Sequence, residues 1–468
     1  MSEETTFLWE LSTSSLLLLA AGAIALLLFL IMALRLHAFI ALVVVSLLTS
    51  VASGIAPPDV VPTMLDGFGG TLASVALLVG LGAMLGRMLE ASGGAERMTQ
   101  KLLGVFGERR APLAVSIASL LMGFPIFFDA GLVLMLPIIY AVARRLEMSF
   151  LAIAYPAAIA FSAMHAFVPP HPGPVTAVDL YGADQGLMVI LGLLFVLPTW
   201  YLCGYLLGTP MARRFDLPVP EIFDSPQDEK TAARFRSEPS TWIVVLLLLL
   251  PLVLIGMNTV LSTLVTAGTV DEENGAVQVL SLIGETPVAL LITVLLGFVV
   301  LGVARGKPGR LTEAIADSAL GPVCSVILIT GAGGMFGGVL RASGIGDAIA
   351  DSMAGLGMPL IVAVFLVALL VRIAQGSATV ALTTSAALMQ PAVHAGGFNS
   401  VQLVALVGAT AAGSIAASHV NDSGFWLVSR FFGMSTSQTL RTWTIGSTGV
   451  GLVGFVIALV MYAAASVG

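Results

Sequence analysis

Residues 80 to 95 read GLGAMLGRMLEASGGA, and residues 331 to 346 read GAGGMFGGVLRASGIG. The two strings align without a gap at an offset of 251 and agree at eight of 16 positions, where composition alone gives roughly one or two. The chain therefore carries an internal duplication, and the same offset pairs its other irregular stretches. Phe124 falls opposite Gln375 and Pro125 opposite Gly376, while Val168-Pro-Pro-His-Pro-Gly173 falls opposite His419-Val-Asn-Asp-Ser-Gly424. All of this is embedded in an apolar chain. Its 468 residues are 57% hydrophobic and 10% charged, with a mean hydropathy of +1.01, whereas soluble domains are about 25% charged. Apolar stretches recur from residue 14 to residue 465 with a single polar interval longer than about 25 residues, so one polytopic membrane domain embedded in a lipid bilayer explains the length.

Several function classes fall away on composition. A net charge of −7, with 20 Lys and Arg spread over short loops, offers no basic face to track a phosphate backbone, so nucleic acid is excluded as a partner. Cys203 and Cys324 both sit inside apolar runs, which supports neither a disulfide framework nor a thiolate metal site, and no cofactor is expected. The acidic start from Met1 to Glu4 lacks a basic region before the first apolar run, so residues 14 to 33 are expected to be a retained span.

Apolar runs occupy residues 14–33, 37–56, 71–90, 111–145, 150–168, 185–208, 241–262, 280–303, 318–340, 358–394, 401–418 and 442–464. Most suit one helical crossing of about 20 residues. Runs 111–145 and 358–394 are too long, and each has a polar or helix-breaking tip, Gly123-Phe-Pro-Ile-Phe-Phe-Asp129 and Gln375-Gly-Ser-Ala-Thr379. Both are read as re-entrant hairpins, the alternative being two full crossings each. Basic loops face the cytoplasm. Ten crossings and two hairpins put Arg35, Arg97 to Arg110, Arg144 and Arg145, Arg213 to Arg236, Arg305 to Arg310, and Arg430 with Arg441 all inside. The same count puts both termini and the acidic segment from Asp271 to Glu273 outside. Residue 80 then lies in a helix running inward and residue 331 in one running outward, so the repeats are inverted. Inverted halves, each with a hairpin and an interrupted helix, are the architecture of alternating-access transporters, whose site lies near the midplane. Irregular backbone at that depth is tolerated only where it is buried in protein or lines a cavity. The four irregular stretches are expected to converge.

Ionisable groups within spans cost about 2.5 to 3.5 kcal/mol each on insertion scales, which makes the few present candidates for function. Asp129 closes the first tip, as a cavity carboxylate that binds or relays a proton, as a helix cap, or as both. Asp422 and Asn421 sit in the second interrupted stretch, where they either bind substrate or proton or form an Asx turn into Gly424. His419 has an ordinary pKa near 6.5, which suits proton coupling. His171, between Pro170 and Pro172, either binds substrate or donates to a carbonyl left unpaired by the prolines. His165 either couples protons or faces a neighbouring helix. Arg372 either grips a substrate carboxylate in bidentate fashion, or snorkels, or neutralises a neighbouring Asp. A half-helix starting at Gly376 would aim free amides at an anion, with the hydroxyls of Ser377 and Thr379 placed to bond a polyol. Thr383, Thr384 and Ser385, and the glycines at 80, 82, 86 and 331 to 338, read as close-packing positions. Gly344-Ile-Gly-Asp347 matches the G-x-G-D string of intramembrane aspartyl proteases, but it lacks the second carboxylate that such chemistry needs, and no H-E-x-x-H occurs. No enzyme is expected.

The strings GFPIFFDAG (123–131), PPHPGPV (169–175), RIAQGSATVALTTSA (372–386) and SHVNDSGFWLV (418–428) closely resemble the gluconate permease family, the gluconate:proton symporters of the ion-transporter superfamily, over nearly the whole chain. The resemblance implies an all-α membrane protein of a bacterial inner membrane that takes up gluconate or another small sugar acid with protons. Family members also carry related hydroxy acids and D-serine. It places Asp129, His171, Gln375, Ser377, Thr379, His419, Asn421 and Asp422 in the site. A sodium-coupled symporter and a channel are the competing readings. The expected organisation is scaffold spans at 1–70 and 241–310, transport repeats at 71–208 and 311–468, and a cytoplasmic linker at 209–240. Related architectures pair through a scaffold, which makes a homodimer one expectation.

Overall fold

Among the described residues, eight helical stretches are long and apolar enough to cross a membrane, and four shorter apolar helices accompany them. The computed structural model describes residues 6–124, 126–169, 171–220, 233–236, 238–266, 269–271, 273–345, 348 and 358–467. Pro125 of the first tip, Pro170, much of the linker, Glu272, Gly346 and Asp347 lie outside them. The chain is an all-helical polytopic membrane protein.

Its first half comprises α1 (Thr13–Leu28), α2 (Ala38–Ala52), α3 (Pro57–Ala91), α4 (Gly94–Phe106), α5 (Ala111–Gly123), α6 (Phe128–Leu146), α7 (Leu151–Phe167), α8 (Pro172–Tyr181), α9 (Gln185–Thr199) and α10 (Leu207–Arg214). After the linker come α11 (Thr241–Thr266), α12 (Gly275–Gly284), α13 (Thr286–Gly297), α14 (Gly309–Asp317) and α15 (Leu320–Ala342). The last part holds α16 (Leu360–Gln375), α17 (Ala378–His394), α18 (Ser400–Ile415), α19 (Ser423–Phe431), α20 (Thr436–Thr439) and α21 (Ile445–Val467).

Both long runs are helix pairs with a break at the expected tip, α5 to α6 and α16 to α17. Two further breaks separate α7 from α8 and α18 from α19. Their causes are local. Gly376 ends α16 in the left-handed region at φ +78°, and the Ser377 side chain then caps α17. Pro172 opens α8 at a position that needs no amide donor. Ala417, between α18 and α19, holds φ +54°, and its amide donates to Thr448 Oγ1 at 3.2 Å.

The structure extends one element beyond its apolar run. α3 starts at Pro57 rather than near residue 71, with two prolines in its first turn. Asp59, Asp66 and several glycines dilute the hydropathy there, although the backbone is continuous helix. α3 packs along α15, the helix that carries the second copy of the repeated string. A Cβ at Gly338 would lie 2.8 Å from Gly67 Cα, so the two helices cross backbone to backbone.

The basic loops meet at one end. Glu238 N donates to Ser92 O, Arg236 pairs with Glu96 at 3.2 Å, Lys307 Nζ donates to Arg234 O and Arg236 O, and Phe150 N donates to Leu217 O. At the other end Asn399 Nδ2 donates to Ala465 O, and Leu8 N donates to Gly54 O.

Candidate functional site

A helix that stops inside a bundle leaves its last carbonyls without amide partners, and donors must come from elsewhere. At the end of α16, Asn421 Nδ2 donates to Ile373 O at 2.8 Å and to Ala374 O at 3.2 Å, and His419 Nε2 donates to Ile373 O at 3.0 Å. At the end of α5, His171 Nε2 donates to Gly123 O at 2.9 Å. Gly123 and Ala374 are 251 residues apart, the offset of the repeat. Each break is thus stitched by side chains from the interrupted stretch of its own half.

The second break also holds a buried charge pair. Arg372, 2% exposed, donates to one oxygen of Asp422, 6% exposed, and to Gly376 O. Ser418 Oγ donates to that same carboxylate oxygen and accepts from Trp443 Nε1 at 2.8 Å. The other oxygen of Asp422 accepts from Gly424 N at 3.0 Å and caps α19. Asp422 is therefore both the Asx cap and the counterion of Arg372. A Cβ at Gly376 would lie 2.6 Å from Asn421 C, so glycine is required there by space as well as by φ.

The first break is arranged differently. Asp129 stands in the first turn of α6, half-buried, with no hydrogen bond or ion pair among the described residues. Phe127 caps α6 without a side-chain bond, and its ring lies 6.0 Å from that of His165 and 5.8 Å from that of His171. The two imidazoles are 4.8 Å apart. His165 Nε2 shares a 3.1 Å hydrogen bond with Thr379 Oγ1, which ties α7 to α17 across the halves.

A cavity of about 870 Å³ gathers most of these groups. Asp129, His165, Arg372, Gln375, Gly376, Ser377, Thr379, Asn421 and Asp422 all line it. His171 and His419 do not line it; they sit behind it, on the helix-end carbonyls. Among the described residues, Gln375 Oε1, Asn421 Oδ1, Arg372 Nε and His165 Nδ1 are buried without a hydrogen-bond partner. Trp443, Asp66, Glu285 and Arg341 line the cavity too and were not singled out from sequence. Ser418 was within a quoted string but not read as a site residue. Asp66 lay in the polar start of α3, and Arg341 replaces Glu90 within the repeated string itself, the one clue that sequence offered.

The cavity opens away from the basic end. On α3 its lining runs from Thr63 to Leu78, leaving 13 residues, about 20 Å of helix, before Ala91. Glu285 and Thr286, at the start of α13, and Arg341, at the end of α15, lie at its mouth. Towards the basic end, Arg87 and Arg144 both pair with Glu90, at 3.3 and 3.1 Å, and Arg87 Nε donates to Ser318 Oγ.

Comparison with known proteins adds a lineage to this geometry. The profile of the GntP family permeases matches residues 14–464. The chain is 38% identical over 460 residues to the inner membrane permease YgbN of Escherichia coli (strain K12), covering 97% of this chain and 100% of that one. It is 35% identical over 452 residues to the low-affinity gluconate transporter of the same strain, covering 97% and 99% of the two chains. It is also 32% identical over 450 residues to that strain's Gnt-II system L-idonate transporter, covering 96% and 99%.

Proposed function

The chain belongs to the GntP permease family, and on that premise we propose that it is a secondary transporter taking up gluconate or a related sugar acid, driven by protons, by alternating access across a bacterial inner membrane. One observation carries the reading: a single cavity, open at one end, joins all four helix breaks and holds an unpaired carboxylate beside unpaired hydrogen-bonding atoms. Its volume of about 870 Å³ is within the usual range for small-molecule sites.

In this reading the substrate carboxylate sits at the N-terminus of α17, where Ala378 and Thr379 line the cavity and the helix dipole favours an anion. Gln375 Oε1 and Asn421 Oδ1 accept from substrate hydroxyls, and Ser377 and Thr379 bond others. Arg372 is already neutralised by Asp422, so it supplies orientation through Nε rather than a net charge. Asp129 carries the coupled proton, because it is the cavity-floor carboxylate without a partner among the described residues. His165, bonded to Thr379, links that proton to the substrate side; His171 and His419 act through the carbonyls they hold.

Protons are favoured over sodium. The carbonyls that a cation would use at the breaks already accept from His171, His419, Asn421 and Arg372. The inverted repeat with two re-entrant hairpins is part of the proposal, supported by the recurrence of break and carbonyl clasp at the 251-residue offset. So is the division into transport repeats (71–208 and 311–468) and scaffold (1–70 and 241–310), with α3 shared between them. A homodimer through that scaffold completes the reading. Among substrates, the L-idonate transporter among the relatives makes idonate the first competitor to gluconate.

The test is uptake of labelled gluconate into proteoliposomes under an inward pH gradient without sodium. Accumulation is expected, and a protonophore should collapse it. Asp129→Asn should abolish accumulation while retaining exchange. Undiminished accumulation in that variant removes Asp129 from coupling, and equilibration without accumulation by the unsubstituted protein indicates a channel.

A further inference from the structure

Two arginines line the cavity, and they are in opposite states. Arg372, on the floor, is buried and paired with Asp422. Arg341, in the last turn of α15, is exposed at the mouth, and among the described residues no carboxylate lies within ion-pairing distance of it. Asp66 and Glu285 line the same mouth, both exposed.

From this arrangement we infer that Arg341 captures the carboxylate of the incoming substrate at the open end of the cavity, before the polyol reaches the floor. The inference rests on the sugar-acid reading above and extends it to a residue at the cavity mouth that the reading gives no role. A guanidinium at the entrance of a low-dielectric cleft attracts an anion that comes within contact distance of it. Asp66 and Glu285, on the same mouth, offset that pull at a distance, so the gain is confined to a group that docks on Arg341 itself. A single carboxylate on a neutral polyhydroxyl body meets that condition, while a second carboxylate would be repelled. Arg341 then releases its ligand to the amides of α17, and because Arg341 lies at one end of the cavity it acts on one side of the membrane.

That sidedness separates capture from a structural role such as complementing the dipole at the end of α15. In oriented proteoliposomes, Arg341→Gln is expected to raise the KM for external gluconate about tenfold, with the maximal rate retained and the KM for internal gluconate, read from efflux, unchanged. Raising ionic strength should increase the external KM of the unsubstituted protein relative to that of Arg341→Gln, whose mouth keeps the carboxylates of Asp66 and Glu285 and whose KM should fall as their repulsion is screened. Arg341→Lys, which keeps the charge, should recover most of the external affinity. An unchanged external KM in Arg341→Gln overturns the inference alone, and so does an equal rise of KM on both sides. Lack of saturable gluconate uptake by the unsubstituted protein overturns the functional reading and this inference with it.

Discussion

The two helix breaks solve the same backbone problem with different chemistry. In the first, between α5 and α6, one histidine clasps one carbonyl, and the nearby carboxylate of Asp129 has no partner among the described residues. In the second, between α16 and α17, two side chains clasp the carbonyls, and the nearby carboxylate of Asp422 is saturated by Arg372, Ser418 and Gly424. The two breaks stand 251 residues apart in the sequence and carry different charges. A saturated carboxylate fixes geometry, while an unpaired one is free to change protonation. In the proposed reading the second break is the rigid partner and the first the responsive one.

The sharpest way to break this comparison is to remove one member of the buried pair. Arg372→Ala should cost about 3–5 kcal/mol, because it leaves the Asp422 carboxylate buried without its counterion. Thermal unfolding in detergent would measure it. The double variant Arg372→Met with Asp422→Leu should recover most of that loss, falling short by about 1 kcal/mol for the missing cap on α19, while transport stays lost. If Arg372→Ala leaves the unfolding midpoint unchanged, the pair is not what fixes the second break.

Part of this contrast was legible in the sequence. The breaks announced themselves through Gly376 and Pro172, because glycine and proline act on the backbone wherever they stand. Their pairing at 251 residues followed from arithmetic. The start of α3 was not legible, since Asp59, which accepts from Thr6, and Asp66, which lines the cavity, lower the hydropathy of a continuous helix. Nor was the line from Trp443 through Ser418 to Asp422, which joins residues 25 apart across a break. His171 and His419 showed their chemical types but not their positions behind the cavity. The carbonyls they hold become unpaired only once the helices have stopped, and that need exists in the folded bundle alone.

A middle-sized effect should come from Gly376→Ala. The φ of +78° and the contact with Asn421 both penalise a side chain there, and the strain should cost about 1–3 kcal/mol. Because Asn421 would be displaced from Ile373 O and Ala374 O, gluconate affinity should fall with stability. A variant that loses stability but keeps its KM would separate the clasp from the binding surface.

The smallest effect tests redundancy between the two clasps. Ile373 O accepts from both His419 and Asn421, so His419→Ala leaves it one donor and should cost less than about 1 kcal/mol. Gly123 O accepts from His171, with no second side-chain donor among the described residues, so His171→Ala should leave a buried carbonyl unpaired at about 1–3 kcal/mol. The ordering matters more than either value. If the first half is the responsive one, its single clasp is the place where a small loss loosens the break, and His171→Ala should also speed hydrogen exchange in the first turn of α6 more than His419→Ala does in α17. Equal exchange in the two variants would mean that the breaks are equally rigid, and the division of labour between the halves would rest on charge alone.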